Sequence, residues 1–207
     1  MMNMGMNMMG MGMNMAQQGM NMAQGMMPGM NMMPQGPGIM QGVMPTDAMT
    51  LQQRFMQVDK DHSGSVSVRE IYQLYKQMNF TEQAARLVLQ AVSDQPAITM
   101  QTFPMFDLYI SSAWAAFSQV SAGAQQIMNQ QVFQALQMLR FRFDQQVATA
   151  LISKFDIDKR GISFGEFLSI CAYFLICEKL MAKFDQQKRG TITIDYNGLS
   201  SLGMWFM

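Results

Sequence analysis

The stretch DKDHSGSVSVRE, residues 59–70, limits what this chain can fold into more than any other. Only 14% of the side chains are charged, yet twelve consecutive residues carry three carboxylates, three serines and a glycine. The flanks are helical in pattern. Before the stretch, Thr46 or Asp47 can cap a helix in which Leu51, Phe55 and Val58 recur on one face. After it, Ile71, Leu74, Tyr75 and Met78 do the same. The oxygen-rich segment is therefore a tight loop joining two amphipathic helices. Its oxygen donors fall on alternate positions, as they must if they point to the inside of one turn.

The donor types and their order fit a hard cation. Calcium takes six to eight oxygens at flexible geometry. Asp59, Asp61 and Ser63 supply side-chain oxygens, Ser65 a backbone carbonyl, Ser67 a contact through water, and Glu70 a two-oxygen closure. Gly64 sits where the loop turns sharply and needs positive φ. This is the pattern of an EF-hand loop, with an acid at position twelve. Val66, at position eight, is expected to bury its side chain and pair its backbone with a neighbouring loop. The serine at position five, in place of an acid, points to an affinity in the micromolar sensor range.

A lone loop of this kind would leave its short strand unpaired, which directs attention to related segments at a fixed spacing. Residues 156–166, DIDKRGISFGE, keep Asp156, Asp158 and a glycine, but the loop is one residue short and Arg160 stands where an oxygen belongs. Asp156 and Asp158 are weaker metal candidates. Residues 185–196, DQQKRGTITIDY, keep Asp185 and Gly190, while Gln187, Arg189 and Tyr196 replace other ligands. Residues 91–102 and 121–132 keep the spacing with almost no ligands, placing position six at Pro96 and Gln126. Helices are expected over 103–117, 129–140, 144–155, 164–184 and 195–206, with strand snippets at 66–68, 97–99 and 191–194. The fold class is all-α: five helix–loop–helix units near 48–78, 81–113, 108–140, 144–175 and 172–206, with short β-bridges between paired loops.

Residues 1–46 contain no charged side chain and hold 18 of the 28 methionines, interleaved with Gly, Asn, Gln and Pro. They read as a disordered low-complexity tail, without the basic start and unbroken apolar run of a signal peptide. Cys171 and Cys177 lie six apart in a helical pattern, about 9 Å along an axis rising ~1.5 Å per residue, too far for a disulfide. Both read as reduced, which suits a cytoplasmic protein. The zero net charge offers no electrostatic footprint for nucleic acid. No nucleophile–base pair or phosphate loop is visible, so enzyme activity is not expected.

Five such units behind an uncharged, glycine-containing arm resemble the penta-EF-hand family, the group that includes sorcin and the calpain small subunit. The resemblance spans residues 47–207 and rests on FMQVDKDHSGSVSVREI, on ALISKFDIDKRGISFGEF running into a long helix, and on FDQQKRGTITIDY. It implies that hands one and two pair, that three and four pair, and that the fifth, which binds no metal, pairs with the fifth hand of a second subunit. Ile192, Ile194, Tyr196, Leu202 and Trp205 are then expected at the interface of a homodimer or heterodimer; the C-terminal run LGMWFM serves that interface or the chain's own core. The expected role is a calcium-responsive adaptor for a protein or membrane partner, acting through the single intact first hand. The alternative is a constitutive regulatory or scaffold subunit like that of calpain. One departure matters: the third loop has no carboxylate, whereas sensor members of the family usually bind calcium in the first and third hands.

Overall fold

Caps and apolar faces set the helices of the computed structural model, which describes residues 37–156, 158–185 and 187–203. Helix α1 (Ala48–Val58) starts at Asp47, whose carboxylate accepts from Thr50 N at 3.0 Å. Strand β1 (Ser65–Val66) leads into α2 (Val68–Tyr75), which a 3₁₀ turn, Lys76–Met78, continues. Then come α3 (Glu82–Val92), β2 (Ile98–Thr99) and α4 (Phe103–Ser121). Pro104 falls in the first turn of α4, where its missing N–H costs nothing. The second half runs β3 (Gln126–Ile127), α5 (Asn129–Met138), α6 (Gln145–Phe155), β4 (Ile162–Ser163), α7 (Phe164–Phe184) and α8 (Tyr196–Gly203). Ser67, Thr81, Asp144 and Ser163 each cap the helix that follows, satisfying amides that have no partner within the helix.

The two-residue strands pair the units. β1 meets β2 antiparallel with Val66 opposite Ile98, and β3 meets β4 with Ile127 opposite Ile162. All four of these side chains are fully buried. A strand of two residues cannot stand alone, so each bridge owes its stability to the aliphatic pair beneath it. Around these bridges the core is aromatic. Phe55 meets Phe103 edge-on, and Phe164 meets Trp114, Phe117 and Tyr75 with centroids 4.8, 5.5 and 6.1 Å away. Among the described residues one ion pair lies inside: Arg54 Nη1 donates to Asp107 Oδ1 and Oδ2 at 2.8 and 2.9 Å, tying α1 to α4. Thr46 Oγ1 donates to Asp107 Oδ2 at 2.6 Å and closes the network.

Several expectations need correction. α4 runs through Ser121, four residues beyond Phe117, and ends at Ala122 in the left-handed conformation (φ 49°). Among the described residues, 191–194 form no strand; the four strands present are already paired with each other. Residues 37–46 were expected in the disordered tail, but they lie on the body. Gly38 N donates to Leu139 O at 2.9 Å, Arg140 Nη2 donates to Gln41 Oε1 at 3.2 Å, and Met40 packs on the core. Gly38 has φ +81°, and a Cβ there would come within 2.8 Å of Leu175 Cδ2, so both conformation and space favour glycine. Residues 1–36 of the tail lie outside the described residues. Cys171 and Cys177 are free, the first buried and the second half-buried.

Candidate metal centre

The loop between α1 and α2 gathers the ligands that the sequence assigns. Asp59, Asp61 and Glu70 each offer a carboxylate oxygen, and these oxygens lie within 4.8 Å of one another. Backbone geometry holds them there. His62 (φ 55°) and Gly64 (φ 80°) turn the chain back, and nothing stands within 4 Å of a Cβ added at Gly64, so conformation rather than space selects the glycine. Asp59 is buried and accepts Ser63 N on Oδ1 at 3.0 Å and Gly64 N on Oδ2 at 2.9 Å. Asp61 Oδ1 also accepts Ser63 N at 3.0 Å, and hydrogen bonding from Ser63 holds the Asp61 carboxyl below its usual range. Ser63 Oγ donates to Ser65 O at 3.0 Å, which brings both predicted ligands to the same side of the loop.

Glu70 closes the loop. Its Oε1 accepts Lys60 N at 2.7 Å and its Oε2 accepts Ser67 N at 2.8 Å. The sequence assigns Ser67 a contact through water; here its hydroxyl donates to Glu70 Oε2 at 2.8 Å, completing a capping box for α2. None of the ion pairs among the described residues involves these three carboxylates. Three negative groups converge with only neutral donors around them, and that donor set fits a hard divalent cation bound through oxygen.

The other loops keep the shape with less of the chemistry. Around Asp185, Arg189 N and Gly190 N donate to the two carboxylate oxygens at 2.9 and 2.6 Å, as Ser63 N and Gly64 N do to Asp59. Near Asp156 and Asp158 the contacts are Gly161 N to Asp156 Oδ1 at 3.4 Å and Arg160 N to Asp158 Oδ1 at 3.1 Å. Glu166 takes the place of Glu70 and is buried, and burial pushes its carboxyl above its usual value, with Asp158 and Asp156 adding to the rise. Among the described residues, these acids form no cluster like that at 59–70.

The third loop corrects the register read from sequence. Ile127, not Met128, occupies the paired strand position, and Gln131 rather than Val132 stands where the closing acid would be. Gln131 Oε1 accepts Met128 N at 2.9 Å while its Nε2 donates to Val120 O at 2.7 Å. The amide thus closes this loop with no ion. Sequence reasoning missed Gln131 because the loop, read as 121–132, put the closing position one residue later, at Val132.

Two further features lie away from the 59–70 loop. A cavity of about 390 Å³ opens between Tyr75, Met78, Trp114, Phe117 and Phe164, with Arg160 among its polar lining. At its edge, Ser163 Oγ donates to Met78 O at 2.7 Å. Of the residues expected at a subunit interface, Ile192 and Ile194 are half-buried and Tyr196 is 82% exposed. The Leu202 side chain and Trp205 lie outside the described residues.

No family model and no curated protein matches the sequence. Among solved structures, the chain is similar to a homolog of programmed cell death 6 protein from Leishmania major Friedlin. The match has a TM-score of 0.53 and 22% identity, covering 76% of this chain and 94% of that one. Likeness at this identity bears on the fold, and it agrees with a helical architecture of EF-hand type.

Proposed function

We propose that this chain is a calcium-binding protein of the penta-EF-hand type, which senses calcium at residues 59–70 and serves as an adaptor for a protein partner. The observation that carries this reading is the convergence of Asp59, Asp61 and Glu70 oxygens within 4.8 Å, on a loop whose amides already hold each carboxylate in place. The aromatic-walled cavity beside Met78 suits an apolar group of the partner. The test is calorimetric titration of the full chain. The expected result is one site per chain with a dissociation constant of about 10⁻⁷–10⁻⁵ M. No heat up to millimolar calcium removes the sensor role.

A second reading has its own support. One loop of the set is closed by an amide and another carries Arg160 in a ligand position, so assembly rather than sensing could be the main role. In that reading, residues 191–194 pair with the same segment of another chain, beside exposed Tyr196 and Leu199. Sedimentation separates the two. A dimer that persists unchanged in calcium and in chelator supports the constitutive scaffold, whereas calcium-dependent binding of a hydrophobic dye supports the adaptor.

A further inference from the structure

We propose that Ser163, ninety-odd residues from the metal loop, positions the calcium site at residues 59–70 through the carbonyl of Met78. The proposal rests on the calcium reading of that loop. Glu70, which closes the loop, is the third residue of α2, and Met78 ends the 3₁₀ turn that continues the helix. Eight residues of helical backbone thus join them, about 12 Å at ~1.5 Å per residue. A segment this short transmits a displacement at one end to the other. Its far end is fixed at two points. Ser163 Oγ donates to Met78 O at 2.7 Å. Gly165, the second residue of α7, lies so close that an added Cβ would run into the Met78 carbonyl oxygen and come within 2.9 Å of Phe80 Cβ.

Comparison of the two capping boxes sharpens the point. Ser67 and Ser163 both cap a helix and both contact the glutamate three residues on, through Oγ at 2.8 and 2.7 Å. Only Ser163 also reaches outside its own unit, to a carbonyl 85 residues away. That contact is not needed for capping, and it falls on the segment that carries Glu70. The bond exists in the same arrangement that brings the Asp59, Asp61 and Glu70 oxygens together. By linkage, an interaction that stabilises the binding-ready arrangement raises affinity for the ion, and its removal lowers it. Because Met78 and Ser163 both line the cavity, the same strut holds one wall of that cavity in register with the metal loop.

The test uses the full chain, calcium alone and calorimetry. Ser163→Ala removes the hydroxyl. Gly165→Ala leaves that hydroxyl and the capping box in place but drives the Met78 carbonyl away, so the two changes break the strut by different routes. Each is expected to weaken calcium binding about fivefold, the equivalent of one lost intramolecular hydrogen bond. Ser163→Thr keeps the donor and retains near-wild-type affinity. Ser169→Ala removes a buried hydroxyl on the same helix that donates to Gly165 O at 2.9 Å and leaves affinity unchanged. If Ser163→Ala or Gly165→Ala binds calcium as tightly as the wild-type chain, or if Ser169→Ala weakens it equally, the strut is overturned while the calcium site stands. If the wild-type chain takes up no calcium, the reading of the loop falls and the strut falls with it.

Discussion

Glu70→Gln is expected to bind calcium about two orders of magnitude more weakly than the wild-type chain, moving from the proposed ~10⁻⁷–10⁻⁵ M range to about 10⁻⁴–10⁻³ M. The substitution removes one of three negative charges and one of the two closing oxygens. It also disturbs the loop itself. Glu70 Oε2 accepts both Ser67 N and Ser67 Oγ at 2.8 Å, and an amide nitrogen at that place would face donors with a donor. Turned the other way, the amide nitrogen faces Lys60 N, so in either orientation one backbone amide loses its acceptor, at a cost of about 1 kcal/mol. Calorimetry reads the first effect and urea unfolding in chelator the second. An unchanged calcium affinity in the variant would sink the assignment of Glu70 as the closing ligand. Gln131 shows what a glutamine needs in this position: a carbonyl, Val120 O, for its amide nitrogen.

Arg54→Ala is expected to destabilise the fold by about 3–5 kcal/mol, because it leaves Asp107 charged, buried and without its guanidinium. Both side chains are about 95% shielded, so water cannot replace the lost partner, and Thr46 Oγ1 supplies only one hydrogen bond. The double change Arg54→Met with Asp107→Leu is expected to recover most of the loss, since two apolar groups of similar size need no pairing. Urea unfolding measures both. A loss below about 1 kcal/mol in Arg54→Ala would mean that the pair is solvent-exposed in solution and contributes as surface pairs do. The pair also bears on the metal loop, since Arg54 lies one turn before Asp59 and fixes the helix that leads into it.

The metal loop was legible in the sequence because its requirements are local. Alternating oxygens, a positive-φ glycine and an acid at position twelve all fall within twelve residues, and the structure gathers Asp59, Asp61 and Glu70 as that spacing implies. Helices with clear caps, such as those starting after Asp47, Thr81 and Ser163, were placed closely for the same reason. What the sequence hid was long-range or chemically disguised. The Arg54–Asp107 pair joins residues 53 apart, and Ser163–Met78 joins residues 85 apart; neither leaves a periodic trace. The third loop misled by one residue because, without acids, nothing marks its register except the burial of Ile127 opposite Ile162. The span 37–46 looked like the rest of the tail because Pro37, Gly38 and Met40 continue its composition, and only the groove beside Leu139 and Leu175 distinguishes them.

The Gln131 amide divides the molecule's response to its surroundings. The third loop is stitched by its own side chain, with Gln131 spanning Met128 N and Val120 O, so its closure needs no carboxylate. The loop at residues 59–70 differs, because its closing group is a carboxylate crowded by two others. Under the calcium reading proposed for residues 59–70, loading and emptying act on the loop closed by a carboxylate, while the loop closed by Gln131 keeps its own hydrogen bonds.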